Sequence, residues 1–338
     1  MQKAFTFALL MILSCLSLQA QPKPNIVFIL ADDLGWRDLS CMGSKYYATP
    51  NLDRLASQGL LFTDAYAAAP VCTPTRAALM TGKTPARLGI TAVFDRDRGE
   101  MPLLPPDWPH ILPHHEYSLA ERLKDAGYVT AHMGKWHLGP TAEYWPEAQG
   151  FDVNIAGCHL GRVPTFFSPY QNPRISDGPE GEYLTERLGR EAAGFIRQNA
   201  DTSFFLYLPF YSPHAPLEAP EATIAAFEGK APDGGQKIPA YAAMIAEMDK
   251  AVGQVMAALE DAGVAENTLL VFTSDNGGVK TIWDVEITDN APLRAEKFLL
   301  YEGGIRVPLI VRWPGIAAEG KKTRQLVSTV DFLPTFMA

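Results

Sequence analysis

Side chains that can bind a metal ion or transfer a proton occur soon after four apolar runs of strand length. The runs are residues 25–30, 128–133, 204–208 and 268–272, and the side chains that follow them are Asp32 and Asp33, Lys135 and His137, His214, and Asp275 and Asn276, respectively. In open α/β sheets, ligands bind beyond the carboxyl ends of the strands. This placement is therefore typical of an active site built at one edge of a sheet.

A cysteine lies in a different setting, beside a proline and an arginine. Residues 71–82 read VCTPTRAALMTG, a segment that runs into the first turns of a predicted helix. Taken alone, Cys72 would be explained as a small buried hydrophobe, which is the usual state of a lone cysteine. Its role therefore depends on what the rest of the chain provides.

The elements that must position these residues alternate along the chain. Strand-like runs separated by helical patterns predict an α/β sheet with helices on both faces. Ser118 and Glu121 form a capping-box start for a helix that ends near Gly127. Apolar residues spaced three and four apart at 239–262 predict a helix packed on the core.

Composition limits the class of protein. The 338 residues are 47% apolar and 20% charged, which predicts a globular fold with a sizeable core. A formal charge of -9 without any cluster of lysine and arginine argues against a nucleic-acid partner.

The N-terminal segment predicts export. One lysine precedes the apolar stretch at 4–18, which is too short for a membrane span, and Ala20 suits the position before a cleavage point. We interpret 1–20 as a signal peptide, with a buried helix as the alternative, and expect a periplasmic or extracellular protein with no transmembrane span after signal removal. Residues 12–15 also resemble a lipoprotein box in which Cys15 would carry the lipid. Cys41 and Cys158 are left to pair or to stay free.

The chain resembles the sulfatase family of the alkaline-phosphatase-like superfamily, with motifs in order from about residue 24 to the C-terminus. Residues 72–76 are similar to the signature Cys-x-Pro-x-Arg, whose cysteine the family oxidises to formylglycine. The other matches are Asp32-Asp33, Gly-Lys-x-His-x-Gly at 134–139, Pro-His-x-Pro around His214, Asp-Asn-Gly at 275–277, and Lys297 ahead of Tyr-Glu-Gly-Gly-x-Arg-Val-Pro at 301–308. Two departures are Thr75, where serine is commoner, and the large neighbours of Lys297, where small residues are usual.

This resemblance implies a fold and a metal. The expected fold is a large mixed, mostly parallel β-sheet sandwiched by helices, in a catalytic domain at 24–338 that we interpret as lacking the family's small C-terminal subdomain. Oxygens of Asp32, Asp33, Asp275 and Asn276, together with modified Cys72, would bind one Ca²⁺, a hard cation that prefers oxygen ligands. A zinc phosphatase of the same superfamily would need histidines at these positions.

The implied activity is hydrolysis of a sulfate monoester, with a sulfated carbohydrate as the expected substrate and a formylglycine-generating maturase as a partner. One hydroxyl of the hydrated aldehyde at 72 would attack sulfur while Asp275 or a neighbour takes its proton, and His137 would be the base that releases sulfate. Arg76 and Lys135 would hold the diol. Lys297 and His214 would bind sulfate oxygens, with His214 as the general acid. A helix beginning after Pro74 would add partial positive charge.

Two alternative functions stay open at this point. They are phosphonate or phosphate ester hydrolysis on the same scaffold, and non-catalytic binding of a sulfated glycan if Cys72 is not converted. Irregular proline-rich segments at 102–113 and 163–182 contain residues that could contact a sugar: Trp108, His110, His114, His115, Tyr170 and Arg174.

Overall fold

A computed structural model of the chain describes residues 23–93, 107–282 and 285–338. The predicted signal peptide at 1–20 and part of the proline-rich segment at 102–113 lie outside these ranges. Within them, none of the helices combines the length and the apolar character that crossing a membrane requires.

Helices and strands alternate through most of the chain. The strands are β1 (Asn25–Ala31), β2 (Leu60–Tyr66), β3 (Val129–Met133), β4 (Val153–Ile155), β5 (Phe204–Pro209), β6 (Thr268–Ser274), β7 (Thr281–Ile282), β8 (Val285–Glu286), β9 (Arg306–Arg312), β10 (Lys321–Thr323) and β11 (Val327–Ser328). The α-helices are α1 (Pro50–Ser57), α2 (Cys72–Thr81), α3 (Pro85–Leu88), α4 (Leu119–Asp125), α5 (Leu184–Gln198), α6 (Glu221–Ala225), α7 (Pro239–Asp261), α8 (Glu302–Ile305) and α9 (Phe332–Phe336). Short 3-10 turns occupy Ser40–Met42, Ala142–Tyr144, Pro146–Gln149, Ala265–Asn267 and Thr329–Asp331.

One mixed sheet forms the centre of the fold. Its strand order is β10-β2-β9-β6-β1-β5-β3-β4, with β11 also paired to β2, while β7 and β8 form a separate hairpin. Strands β6, β1, β5, β3 and β4 are mutually parallel. Strand β9 is antiparallel to both β6 and β2, so β2 runs in the same direction as β6. The predicted mixed, mostly parallel sheet is confirmed.

Helices cover both faces of this sheet, as the alternation predicted. Alternate side chains of β1 enter two separate cores: Val27 and Ile29 pack with α1, α5 and α7, whereas Ile26 and Phe28 pack with α2, α4 and α9. A parallel strand covered on both faces needs apolar residues at every position. This explains the uninterrupted sequence NIVFILA, of which every residue is buried.

Two predicted helix boundaries can be compared with the structure. The capping box at the start of α4 is present, since the Glu121 amide donates to Ser118 Oγ and the Ser118 amide donates to Glu121 Oε2. The helix at the cysteine begins at Cys72 itself, two residues before Pro74, so Cys72 opens the predicted helix. Proline is tolerated in the first turn of a helix because the amides there have no intrahelical acceptor.

Candidate active site

The directions of the strands bring the candidate residues to one edge of the sheet. The carboxyl ends of β1, β3, β5 and β6 meet there, and so does that of β2, which leads into α2. Lys297 differs from the expectation that each site residue follows a strand, because it lies on the loop ahead of β9. Since β9 is antiparallel, its amino end lies at this same edge, and Lys297 reaches the site from that side.

A buried group of carboxylates surrounds the cysteine. One ligand atom from each of Asp32, Asp33, Cys72 and Asp275 lies within 4.8 Å of the others. Asn276 joins the group by donating from Nδ2 to Asp33 Oδ1 at 2.8 Å. Among the described residues, Asp32 Oδ1 and Asn276 Oδ1 are buried oxygens without a hydrogen-bond donor. Oxygen atoms in this state suit a hard cation, so the donor set fits Ca²⁺.

Three buried cationic side chains contact these carboxylates. Arg76 donates from Nε and Nη2 to Asp275 Oδ2 at 2.9 and 2.8 Å, and from Nη1 to the Lys135 carbonyl. Lys135 Nζ lies 2.7 Å from Asp32 Oδ2, and Lys297 Nζ lies 2.7 Å from Asp33 Oδ1. Each carboxylate therefore has a cationic partner, and the cationic groups reach the site from α2 and from loops after β3 and before β9.

Burial and the neighbouring cations shift the pKa values of the carboxylates in opposite directions. Burial raises the pKa of Asp32 to about 7 although Lys135 lies against it, and the charges of Asp275 and Asp33 add to this rise. Burial also acts on Asp33, but the charges of Lys297 and His214 hold the pKa of that carboxyl well below its usual value. A divalent cation among these oxygens would favour the ionised form of all three.

His214 lies at the mouth of this group. Its Nε2 is 3.5 Å from Asp33 Oδ2, and its Nδ1 is 2.8 Å from the Ala215 carbonyl. Burial lowers the pKa of His214 to about 4, and Lys297 adds to this effect against the opposing charge of Asp33. The imidazole is then neutral at pH 7 with its proton on Nδ1, facing the carbonyl. A general-acid role therefore requires a second proton on Nε2, which the negative charge of a bound ester would favour.

Comparisons with known proteins agree with this geometry. A family model described as Sulfatase matches residues 24–338. The chain belongs to the sulfatase family. It is 36% identical to the mouse N-acetylgalactosamine-6-sulfatase over 352 residues, which cover 98% of this chain and 65% of that protein. It is also 36% identical to a sulfatase of Formosa agariphila, over 94% of this chain and 68% of the relative.

The fold agrees with that of a solved structure as well. The crystal structure of Ps i-CgsB in complex with k-i-k-neocarrahexaose matches with a TM-score of 0.79 and 34% identity, covering 93% of this chain and 71% of that one. The resemblance deduced from the motifs is thus confirmed. The chain spans just under two thirds of the length of the mouse relative.

In this family member, His137 packs against a glycine on a neighbouring loop. The His137 imidazole is buried, its carbonyl accepts from Thr73 Oγ1 next to Cys72, and its amide donates to the Cys158 carbonyl. A Cβ atom built on Gly161 would lie 2.4 Å from His137 Nε2. No side chain larger than hydrogen fits at 161 while the imidazole keeps this position. Gly161 carries no signal in the sequence, because only the folded structure brings it to His137.

We predict that Gly161→Ala lowers kcat roughly a hundredfold while the protein stays folded, because the imidazole of His137 must move by an ångström or more. Steady-state kinetics together with circular dichroism will measure both properties. Gly194→Ala is the matched control, since a Cβ atom there meets nothing within 4 Å and the residue lies in α5. Equal kcat for Gly161→Ala and the control would contradict this steric constraint.

The backbone at the site adopts conformations that no sequence motif predicts. Asp33 and His137 have φ values of 67° and 59°, in the left-handed region that disfavours most side chains.

Two polar side chains support the loops of the site. Asn290 braces the loop of Lys297, since its Nδ2 donates to the carbonyls of Gly278 and Ala295. Ser274 Oγ accepts from the Leu34 amide and donates to the Asn276 carbonyl. In the sequence, Ser274 could have been identified only by its position directly before Asp275. No sequence feature pointed to Asn290.

Cys72 is buried at the first position of α2. Burial raises the pKa of its thiol to about 12, although Lys135 and Lys297 oppose the shift. The thiol is therefore protonated at neutral pH and is a poor nucleophile in that form. Thr75, the unusual residue of the signature, donates from Oγ1 to the Ala69 carbonyl and accepts from the Ala69 amide. A serine hydroxyl would make the same two bonds, so the threonine conserves this loop contact.

The candidate sugar-contact residues lie partly in the interior and partly on the surface. Tyr170 is buried and donates to Glu182, so it is not available to a sugar. His110, His114, His115 and Arg174 are exposed, whereas Trp108 is buried. Among the cysteines in the described ranges, Cys41, Cys72 and Cys158 are all free, so Cys41 and Cys158 do not pair.

Proposed function

We propose that this protein hydrolyses sulfate monoesters of a carbohydrate, through a formylglycine made from Cys72 and one bound Ca²⁺. The observation that carries the proposal is the placement of Cys72 within 4.8 Å of three carboxylates and beside three buried cations. Several relatives are named as sulfatases of sugars, including the mouse N-acetylgalactosamine-6-sulfatase. We assign the same class of substrate, sulfated sugars, to this chain.

The balance of charges supports an anionic substrate. The carboxylates of Asp32, Asp33 and Asp275 are matched by Arg76, Lys135 and Lys297, so the buried group is close to neutral. A divalent cation held by Asp32, Asp33, Asp275 and Asn276 would leave an excess of two positive charges. An overall acidic protein thereby provides a local site that attracts a sulfate ester.

The chain's own residues have separable roles in this proposal. The metal and the formylglycine supply, when present, a Lewis acid and a hydrated aldehyde that serves as a nucleophile and allows sulfate to leave. Arg76 fixes Asp275 in place by two hydrogen bonds. Lys135 and Lys297 donate to the sulfate oxygens and stabilise the charge that develops on them.

Two histidines complete the proton transfers of the proposed reaction. His137 accepts the proton whose removal releases sulfate, and its packing against Gly161 orients the ring for that step. His214 Nε2 protonates the oxygen of the leaving alcohol. The half-buried position of His214 beside Asp33, at the mouth of the site, supports this role.

Export and maturation are parts of the same proposal. A maturase recognising residues 72–76 would produce the formylglycine, and the signal peptide inferred at 1–20 would direct the chain to the periplasm or the exterior. Three free cysteines are compatible with a chain whose cysteine chemistry is maturation of Cys72 and not a disulfide framework.

The decisive experiment is turnover of a panel of substrates by protein co-expressed with a formylglycine-generating enzyme. We expect hydrolysis of sulfated mono- and oligosaccharides, loss of activity on chelation, and recovery with Ca²⁺. Ca²⁺ should also raise the unfolding temperature, which gives a readout that does not depend on turnover. Hydrolysis of phosphonate monoesters alone, or recovery of activity only with Zn²⁺, would contradict the proposal and support phosphonate or phosphate ester hydrolysis.

A further inference from the structure

A cleft adjoins the proposed catalytic site on the side of His137. Its volume is about 390 Å³, within the range of about 300–1,000 Å³ common for small-molecule sites. Its walls are mainly apolar, formed by Pro140, Leu160, Val163 and Pro164, with His159 and Arg162 as the polar residues. Gly161, which packs on the His137 imidazole, lines the same cleft. The cleft and the catalytic site therefore share one loop.

The arginine of this cleft, Arg162, has no carboxylate partner among the residues that the structure describes. Its side chain is exposed. Nearby Arg174, in contrast, pairs with Glu147 and lies over the Trp145 ring. A guanidinium left unpaired in a protein of net charge -9 is suited to an external anion.

The second polar residue is oriented by an aromatic neighbour. The His159 ring stacks on Trp145, with centroids 6.3 Å apart and planes inclined by 22°. This contact holds the imidazole at the rim of the cleft, where its ring nitrogens can bond to hydroxyl groups. The apolar walls suit the C–H face of a pyranose ring. Together the lining combines groups for a ring face, a hydroxyl and an anion.

We propose that this cleft is a subsite for a second sugar unit that carries its own sulfate or carboxylate, bound by Arg162. The inference rests on the proposed sulfatase function and deepens it. The substrate is then a glycan with negative charge on the unit next to the one that loses sulfate. Arg162 is a specificity residue and takes no part in the bond-breaking step.

The test compares two classes of substrate with and without the arginine. We expect Arg162→Ala to raise KM about tenfold for disaccharides sulfated on both rings, the loss typical of one charge-assisted hydrogen bond. The change should leave kcat/KM for 4-nitrophenyl sulfate within about twofold, because that ester does not reach the cleft. Arg162→Lys keeps the charge and should recover part of the affinity. The effect should shrink as salt is raised.

The matched control is Arg197→Ala. Arg197 is an exposed arginine near the end of α5, just ahead of the amino end of β5, and thus at the opposite edge of the sheet. This replacement should alter neither the KM for the disulfated disaccharides nor the kcat/KM for 4-nitrophenyl sulfate. Equal effects of Arg162→Ala on both substrates, or no effect on the disulfated disaccharides, would overturn the subsite.

A binding measurement separates this inference from the proposed function. Calorimetry with a panel of disulfated disaccharides of galactose, galactosamine and glucosamine, against monosulfated counterparts, reports the subsite without turnover. We expect at least one disulfated compound to bind about tenfold more tightly to the original protein than to Arg162→Ala. Absence of turnover on every ester would reject the enzymatic proposal, while absence of any Arg162-dependent binding would reject the subsite.

Discussion

Replacement of Asp275 by asparagine should lower kcat/KM by at least about a hundredfold and remove the stabilisation by Ca²⁺. Asp275 Oδ2 accepts two hydrogen bonds from Arg76, and Oδ1 accepts one from the Asp33 amide at 3.2 Å. Asparagine keeps the shape but removes the hydrogen-bonded counter-charge of the buried guanidinium, which is then left with the more distant Asp32 Oδ1 at 3.8 Å. Breaking a buried ion pair of this kind costs about 3–5 kcal/mol of unfolding free energy. The replacement also removes one anionic ligand of the proposed cation.

Urea unfolding with and without Ca²⁺ measures the second effect directly. Ligand present at 100 times its dissociation constant stabilises a protein by about 2.7 kcal/mol, which the variant should lose. Asp249→Asn is the matched control, because Asp249 is equally buried but accepts hydrogen bonds from the amides of Asn51 and Leu52 at the start of α1. It should lose stability and keep its response to Ca²⁺. An unchanged response in the Asp275 variant would show that the carboxylate is not a ligand.

The composition of strands at the centre of the sheet made much of the fold predictable. A strand covered on both faces must be apolar throughout, so β1, β5 and β6 are visible as uninterrupted runs. Polar residues directly after such a run are conspicuous, which is why Asp32, Asp33 and Asp275 could be assigned to one edge. Parallel pairing then brings positions far apart in sequence into contact.

Other parts of the site have no such signal. Lys297 was identified only through its resemblance to a family motif, because it comes from a loop ahead of an antiparallel strand, and the direction of β9 is decided by pairing with β2 and β6, not by its own sequence. The left-handed backbone of Asp33 and His137 depends on contacts from distant elements, such as the bond from Tyr241 Oη to the Asp33 carbonyl. The roles proposed for Gly161 and Arg162 depend on the folded position of their loop beside His137, which no local sequence pattern predicts.

Replacement of Cys72 by alanine should abolish turnover, by at least about a thousandfold, and yet preserve most of the binding of Ca²⁺. The carboxylates and Asn276 remain in place, and alanine starts α2 without strain, so the fold should lose no more than about 1–2 kcal/mol. This pattern is the opposite of that expected for the Asp275 variant, where metal and activity are lost together. The pair of variants therefore distinguishes the proposed nucleophile from the carboxylate ligands.

Cys158→Ala is the matched control for this variant, because Cys158 is also a buried free cysteine, and its carbonyl contact with the His137 amide is preserved by any side chain. It should keep full activity. Mass spectrometry of the peptide containing residues 71–82 should show the aldehyde in place of the thiol in active protein. The thiol of Cys72 is protonated at neutral pH and cannot release a bound sulfate, so full turnover by protein whose Cys72 is entirely unmodified would contradict the proposed chemistry.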